Sequence, residues 1–266
     1  MKHMHTFKMP TVAVAIVIGL GLTASIPLVV AKPVKVPECE VLSPSFPTIQ
    51  SAVDDANCVS IHVPKGTFNE NVVINYRVVT IRGHGQGKSV VDGSTSGPVF
   101  TVFWSTVTLK GMTITGGRNS SLPRPNGGGI TSAYSTLDVN DCLITGNEAL
   151  GQGGGIQSVF GTLAVEDSTI INNKAMNGGG IRAAGGTNVL IVTGSVIADN
   201  VAIDRGGGIW SHNDTPGGTA VSVTLKDSII TGNLAVLGGG IYGSNSKLTV
   251  EDSTIADNTP DDIPFN

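Results

Sequence analysis

Apolar and polar positions alternate in short runs along the second half of the chain, and the runs recur with a period of roughly twenty-five residues, a length typical of solenoid repeats. Aligned on an asparagine, the copies end at Asn147, Asn173, Asn200, Asn233 and Asn258. Upstream of that anchor, Leu137, Leu163, Leu190, Val223 and Leu248 form one apolar row. Val139, Val165, Val192, Leu225 and Val250 form a second, two positions further on. Residues two apart share one face of a strand, so both rows turn the same way. A corner marked by Asp141, Asp167, Asp227 and Asp252 follows, then a second alternating strand with Ile144, Ile170, Ile197, Ile230 and Ile255. A repeated Gly-Gly-Gly-Ile motif supplies a third inward row, Ile130, Ile156, Ile181, Ile209 and Ile241.

Three short strands per period cannot bury their apolar faces within one copy, so the copies must stack as coils, with like residues about 4.8 Å apart. The pattern predicts an all-β fold over 48–258, a right-handed parallel β-helix with three strands per coil. Asparagine suits the left-handed backbone of a sharp corner, and stacked amides hydrogen-bond along the axis, so Asn147, Asn173, Asn200, Asn233 and Asn258 read as a structural ladder. The aspartate row reads as turn chemistry rather than a calcium ladder. Cys142 stands where other copies have Ser168, Ser195, Ser228 and Ser253, and reads as a small buried residue.

Upstream, Thr48 precedes Ile49, Ala52, Val53 and Ala56, an amphipathic stripe that predicts a short N-terminal helix capping the coil. Strands are expected at 60–63, 72–74, 78–81 and 99–102. Ile263 and Phe265, in the tail 259–266, offer a small plug at the far end. Spacing varies mainly between each Gly-Gly-Gly-Ile strand and the next strand. The connection 183–188 is slightly long and 211–218 is the longest, so two loops should protrude side by side, in the place where function usually sits.

Composition agrees with one domain that has an ample core: 40% of the 266 residues are apolar and only 14% are charged. Two lysines followed by an uncharged stretch over 11–31 read as an export signal, with 32–47 as linker and cap entry. The signal is either cleaved after Ala24 or Ala31, or retained as a membrane anchor. Both outcomes place the domain outside the cell or on its surface. A net charge of −4 and the lack of any Lys/Arg cluster argue against nucleic acid. Cys39 and Cys58 flank the expected helix, either as a bridge or as two free thiols.

The segments 46–53, 61–72, 80–83 and 90–93 resemble the opening of the pectin lyase-like superfamily of parallel β-helices. The later pairing of Gly-Gly-Gly-Ile with Ile-x-x-Asn is similar to the repeats of chlamydial polymorphic outer-membrane proteins. The resemblance covers 46–258 and implies the fold, together with either adhesive roles or polysaccharide cleavage. Lyases of this kind use carboxylates on calcium plus a basic residue. Here the outward row Thr131, Gln157, Arg182, Trp210 and Tyr242 contains a base but no acid. The row Asn140, Glu166, Thr193, Lys226 and Glu251 never puts two carboxylates on adjacent coils. Gly83-His84-Gly85 matches a hydrolase tripeptide, but it lies in an early glycine-rich turn, out of the order such enzymes need.

The remaining surface signal is Arg182, Trp210 and Tyr242 on three successive coils. They form either a platform on which sugar rings stack, with Arg182 pairing a uronate and His212 and Asp214 walling the groove, or rings packed on one another. Trp104, beside Phe103, reads as cap packing. The expected protein is a non-catalytic surface or secreted module without cofactor. Its partner is a polysaccharide or cell-surface glycan, and it is a monomer able to associate end to end. The alternative is a polysaccharide lyase or related pectinolytic enzyme working with Ca2+.

Overall fold

The computed structural model describes residues 38–94, 96–120, 126–213, 215, 218–260 and 263–264. The expected signal 1–31, the start of the linker, Asp214 and Phe265 lie outside the described residues. Within the unit 36–266 the chain is an all-β parallel β-solenoid. Sheets of nine, eight and seven parallel strands run along it, joined by a short sheet of four. Equivalent residues of successive copies pair directly. Leu137, Leu163, Leu190, Val223 and Leu248 are register partners in turn, as are Ile144 to Ile255 and Ile130 to Ile241 along their own rows. Most of these side chains are fully buried and form one continuous core.

Most corners use a two-residue device: a residue with left-handed backbone, then an inward polar side chain that bonds to a neighbouring coil. After the nine-stranded sheet the left-handed residues are Asp141, Asp167, Asp227 and Asp252, at φ +45° to +49°, with Gly111 and Gly194 in the other copies. The serine row follows, and Ser168 Oγ accepts from Cys142 N at 3.0 Å as Ser195 Oγ does from Ser168 N. Cys142 is buried in that row, and burial pushes its thiol up to about 11. At the second corner Asn200 Oδ1 accepts from Asn173 N and Asn173 Nδ2, both at 3.0 Å, and the pattern repeats from Asn147 to Asn258. The asparagines do not themselves take the left-handed backbone expected of them. That strain falls on the preceding residue, Gly146, Asn172, Asp199, Gly232 or Asp257, because the asparagine must direct its amide inward along the axis.

The triple glycine has two causes. Gly178 turns the chain at φ +65°, while a Cβ on Gly180 would lie 2.6 Å from the Gly208 carbonyl and 3.0 Å from Asn200 Nδ2. The strand therefore lies flush against the asparagine ladder, and only glycine permits that approach.

In the first coils the strands Ser60–His62, Val72–Asn75, Val78–Arg82 and Phe100–Phe103 are joined by two with no sequence signal, Gly66–Asn69 and Ser89–Asp92. Gly66–Asn69 turns a single apolar side chain, Phe68, inward, too little to register as alternation. The helix is shorter than its stripe suggests, Ile49–Asp54, with Ile49, Ala52 and Val53 buried and Ala56 beyond its end. Thr48 and Ser51 form a reciprocal capping box, and the Glu70 carboxylate accepts from Ile49 N and Gln50 N. Cys39 and Cys58 are bonded across 5.7 Å between Cα atoms, tying strand Glu38–Glu40 to the segment after the helix. The bond joins cysteines 19 residues apart, so its reduction is expected to cost about 3 kcal/mol. Thermal unfolding with and without reductant measures this, and equal midpoints would mean the strand is held without the bond.

Candidate functional site

The outward row of the seven-stranded sheet does bring Arg182, Trp210 and Tyr242 onto successive coils. They do not form an open platform. Trp210 is 7% exposed, with His212 stacked on it at 3.9 Å and the Arg182 guanidinium 5.2 Å from its ring centre. So little of the indole is exposed that a stacking sugar has no open ring face to reach. Arg182 Nε donates to His212 Nε2 at 3.1 Å, which makes that nitrogen the acceptor of the imidazole. Tyr242, the register partner of Trp210, is half-buried with the Arg205 guanidinium 5.6 Å from its ring centre.

Arg182 and His212 instead line a cleft of about 540 Å³, within the usual range for ligand sites. Gln157 and Arg182 pair in register on its floor, and His212 lies one coil further on. Asn177 forms one side, and Phe160 with Gly185 the other. The end is closed where the two long connections meet. A Cβ on Gly186 would lie 2.7 Å from Asn213 Nδ2, and Asn213 braces its own loop through Thr219 O and Thr215 N. Gln157 Oε1 and Asn177 Oδ1 are buried without a hydrogen-bond partner, although both residues are more than nine-tenths buried. No carboxylate is among the described lining residues. Of the side chains expected from sequence, Arg182 and His212 reach the cleft, Trp210 and Tyr242 do not line it, and Asp214 lies outside the described residues. Asn177 gave no signal of its own. It does belong to a readable row, since Asn126, Gln152 and Asn177 each stand immediately before a triple glycine and each lines the cleft.

The exposed aromatics lie elsewhere. Trp104, expected to pack in a cap, is 55% exposed and stacks on Tyr134 at 4.4 Å, which stacks on Phe160 at 5.2 Å. All three occupy the left-handed position of the third corner, which throws their side chains outward. The rings lie face to face, and Gly185 lies against Phe160 so closely that a Cβ would sit 2.5 Å from the ring. The ring faces between Trp104 and Gly185 are therefore covered, and a sugar stacking on a ring face would have the outer face of Trp104.

Two carboxylates do converge, diagonally rather than along one row. Asp138 and Glu166 share a small groove with Lys110, and Asn140 Nδ2 donates to Glu166 at 3.2 Å. Burial, and then the Glu166 charge, push the Asp138 carboxyl above its ordinary range. A raised folded-state pKa means stability is lost as pH climbs from the ordinary carboxylate value through the folded one. Asp138→Asn is therefore expected to gain stability relative to the parent as pH rises from about 4 to about 7. Melting midpoints of both proteins at the two pH values test this, and a difference between variant and parent that does not grow with pH would contradict it.

His84 lies beside His62, ring centres 4.6 Å apart, and faces no carboxylate pair of the kind hydrolysis needs. Among the described residues no group of three or more His, Cys, Asp or Glu side chains is placed to hold a metal ion, and no helix is long and apolar enough to cross a membrane. No protein-family model matches the chain, and no curated protein or solved structure matches it.

Proposed function

We propose that the chain is a secreted or cell-surface binding module, a right-handed parallel β-helix with three principal strands per coil, that holds an acidic polysaccharide without cleaving it. The short helix caps its first coil. The observation that carries this reading is the cleft: a buried arginine beside two unpartnered amide oxygens, with no carboxylate in the described lining. Amide oxygens accept from sugar hydroxyls, and a guanidinium pairs with a uronate carboxylate in a charge-assisted contact. Glycoside hydrolysis needs two carboxylates across the bond, and calcium-assisted elimination needs several around the metal. The cleft supplies neither among its described residues. The Cys39–Cys58 bond supports an oxidising compartment, and with it export.

The reading is tested by titrating oligogalacturonate and an uncharged oligosaccharide of equal length into the protein, and by following absorbance at about 235 nm with calcium present, where an unsaturated uronate product would appear. Binding of the acidic glycan with flat absorbance is expected. A rising absorbance would make the protein a lyase, and absence of binding to both glycans would leave a structural module.

A further inference from the structure

Ala149, Ala175 and Ala202 on the four-stranded sheet, and Ala235 on the bridge-paired segment that continues it, are buried on successive coils. The residue after each points outward, and these are Leu150, Met176, Ile203 and Val236, between 41% and 63% exposed. Register pairs fix their alignment: Glu148 with Lys174, Lys174 with Val201, and Val201 with Leu234. Leu234 and Leu237, at 46% and 40% exposure, widen the far end. The result is an apolar ridge over four coils, with a register shift at Met176, unlike the scattered exposed hydrophobics that any surface carries.

We propose that this ridge is the contact face between two copies of the chain. Three features favour a second copy over other occupants. First, both copies would share the same coil rise of about 4.8 Å, so a two-fold axis along the solenoid sets each apolar side chain against its own counterpart in step, which a partner of different periodicity cannot do. Second, the same rotation lays one flank on the other. Glu148 then meets the side carrying Gln152, Lys174 meets Asn177, Val201 meets Arg205 and Leu234 meets Leu237, while Asp204, beside Ile203, is paired to Arg205 of its own chain. Third, the six side chains would bury roughly 1,000 Å² in total, near the lower limit for specific association, which fits a reversible dimer rather than an obligate one. The net charge of −4 and absence of a basic cluster disfavour an anionic membrane as the occupant. Met176 also lines the cleft, so association would bring two clefts side by side.

Sedimentation velocity of the purified chain up to about 200 µM is expected to show a monomer–dimer equilibrium with a dissociation constant in the micromolar range. Ile203→Asp should weaken it at least tenfold while leaving the melting midpoint unchanged, since Ile203 is 54% exposed. Ile203→Cys should cross-link to itself on mild oxidation, while Tyr76→Cys, at a corner away from the ridge and 78% exposed, should not. Cys142 is fully buried and does not compete. A chain that stays monomeric, a dimer that survives Ile203→Asp, or failure of Ile203→Cys to cross-link would each overturn the proposal. So would a monomer that floats with phosphatidylcholine vesicles and is released from them by Ile203→Asp.

Discussion

Asn200→Ala is expected to destabilise the protein by about 4 kcal/mol or more, while Asp199→Ala, one residue earlier, should cost only about 1 kcal/mol. Asn200 is fully buried, and its side chain serves two coils at once. Its Oδ1 accepts from Asn173 N and Asn173 Nδ2, and its Nδ2 donates to Ile170 O and Asn233 Oδ1. Truncation removes four hydrogen bonds and strands the Asn173 N–H where water does not reach, at about 1–3 kcal/mol, and leaves the buried Asn173 and Asn233 amides each a partner short. The Gly180 backbone packs against this amide, so a gap beneath the strand adds to the loss. Asp199 has a different task, holding φ at +52°, for which alanine is merely less suited. Chemical denaturation of the two variants followed by circular dichroism separates the cases. Equal costs would show that the corner depends on its turn and not on the stacked amides.

The same contrast explains how much of the fold the sequence discloses. The inward rows were legible because each is one apolar residue type repeated at one offset, and the core consists of those rows. The ladders were legible as repeated asparagine and serine, but which residue bears the left-handed strain was not. That residue varies among glycine, asparagine and aspartate, all of which tolerate the same φ. At the third corner the position is held by Trp104, Tyr134 and Phe160, residues that normally avoid it, so their stack had no turn signature. Burial of Trp210 was equally hidden. It depends on Arg182 and His212 closing over the ring from two coils, and period-two alternation marks such residues only as outward, not as exposed. The convergence of Asp138 with Glu166 was missed because it runs diagonally between rows, where reading down a single row cannot find it.

Arg182→Met is expected to weaken binding of an acidic oligosaccharide by about 30-fold and to leave an uncharged one of the same length nearly unaffected, because hydrogen bonds to a charged group contribute about 2 kcal/mol. Methionine keeps most of the volume against Trp210, so the loss reports charge and not a collapsed floor. Gln157→Ala makes the complementary change. It removes a polar side chain of the cleft lining that carries no charge, so both glycans should weaken together, by about fivefold. The residual affinity of Arg182→Met should also respond less to salt, since the screened interaction is gone. Isothermal titration at two ionic strengths resolves all three expectations. If Arg182→Met weakens the two glycans equally, the arginine shapes the cleft through its contacts with His212 and Trp210 and does not read the carboxylate. If neither variant changes either affinity while the parent still binds, the glycan lies on another face, and the buried amide oxygens of Gln157 and Asn177 serve some other ligand.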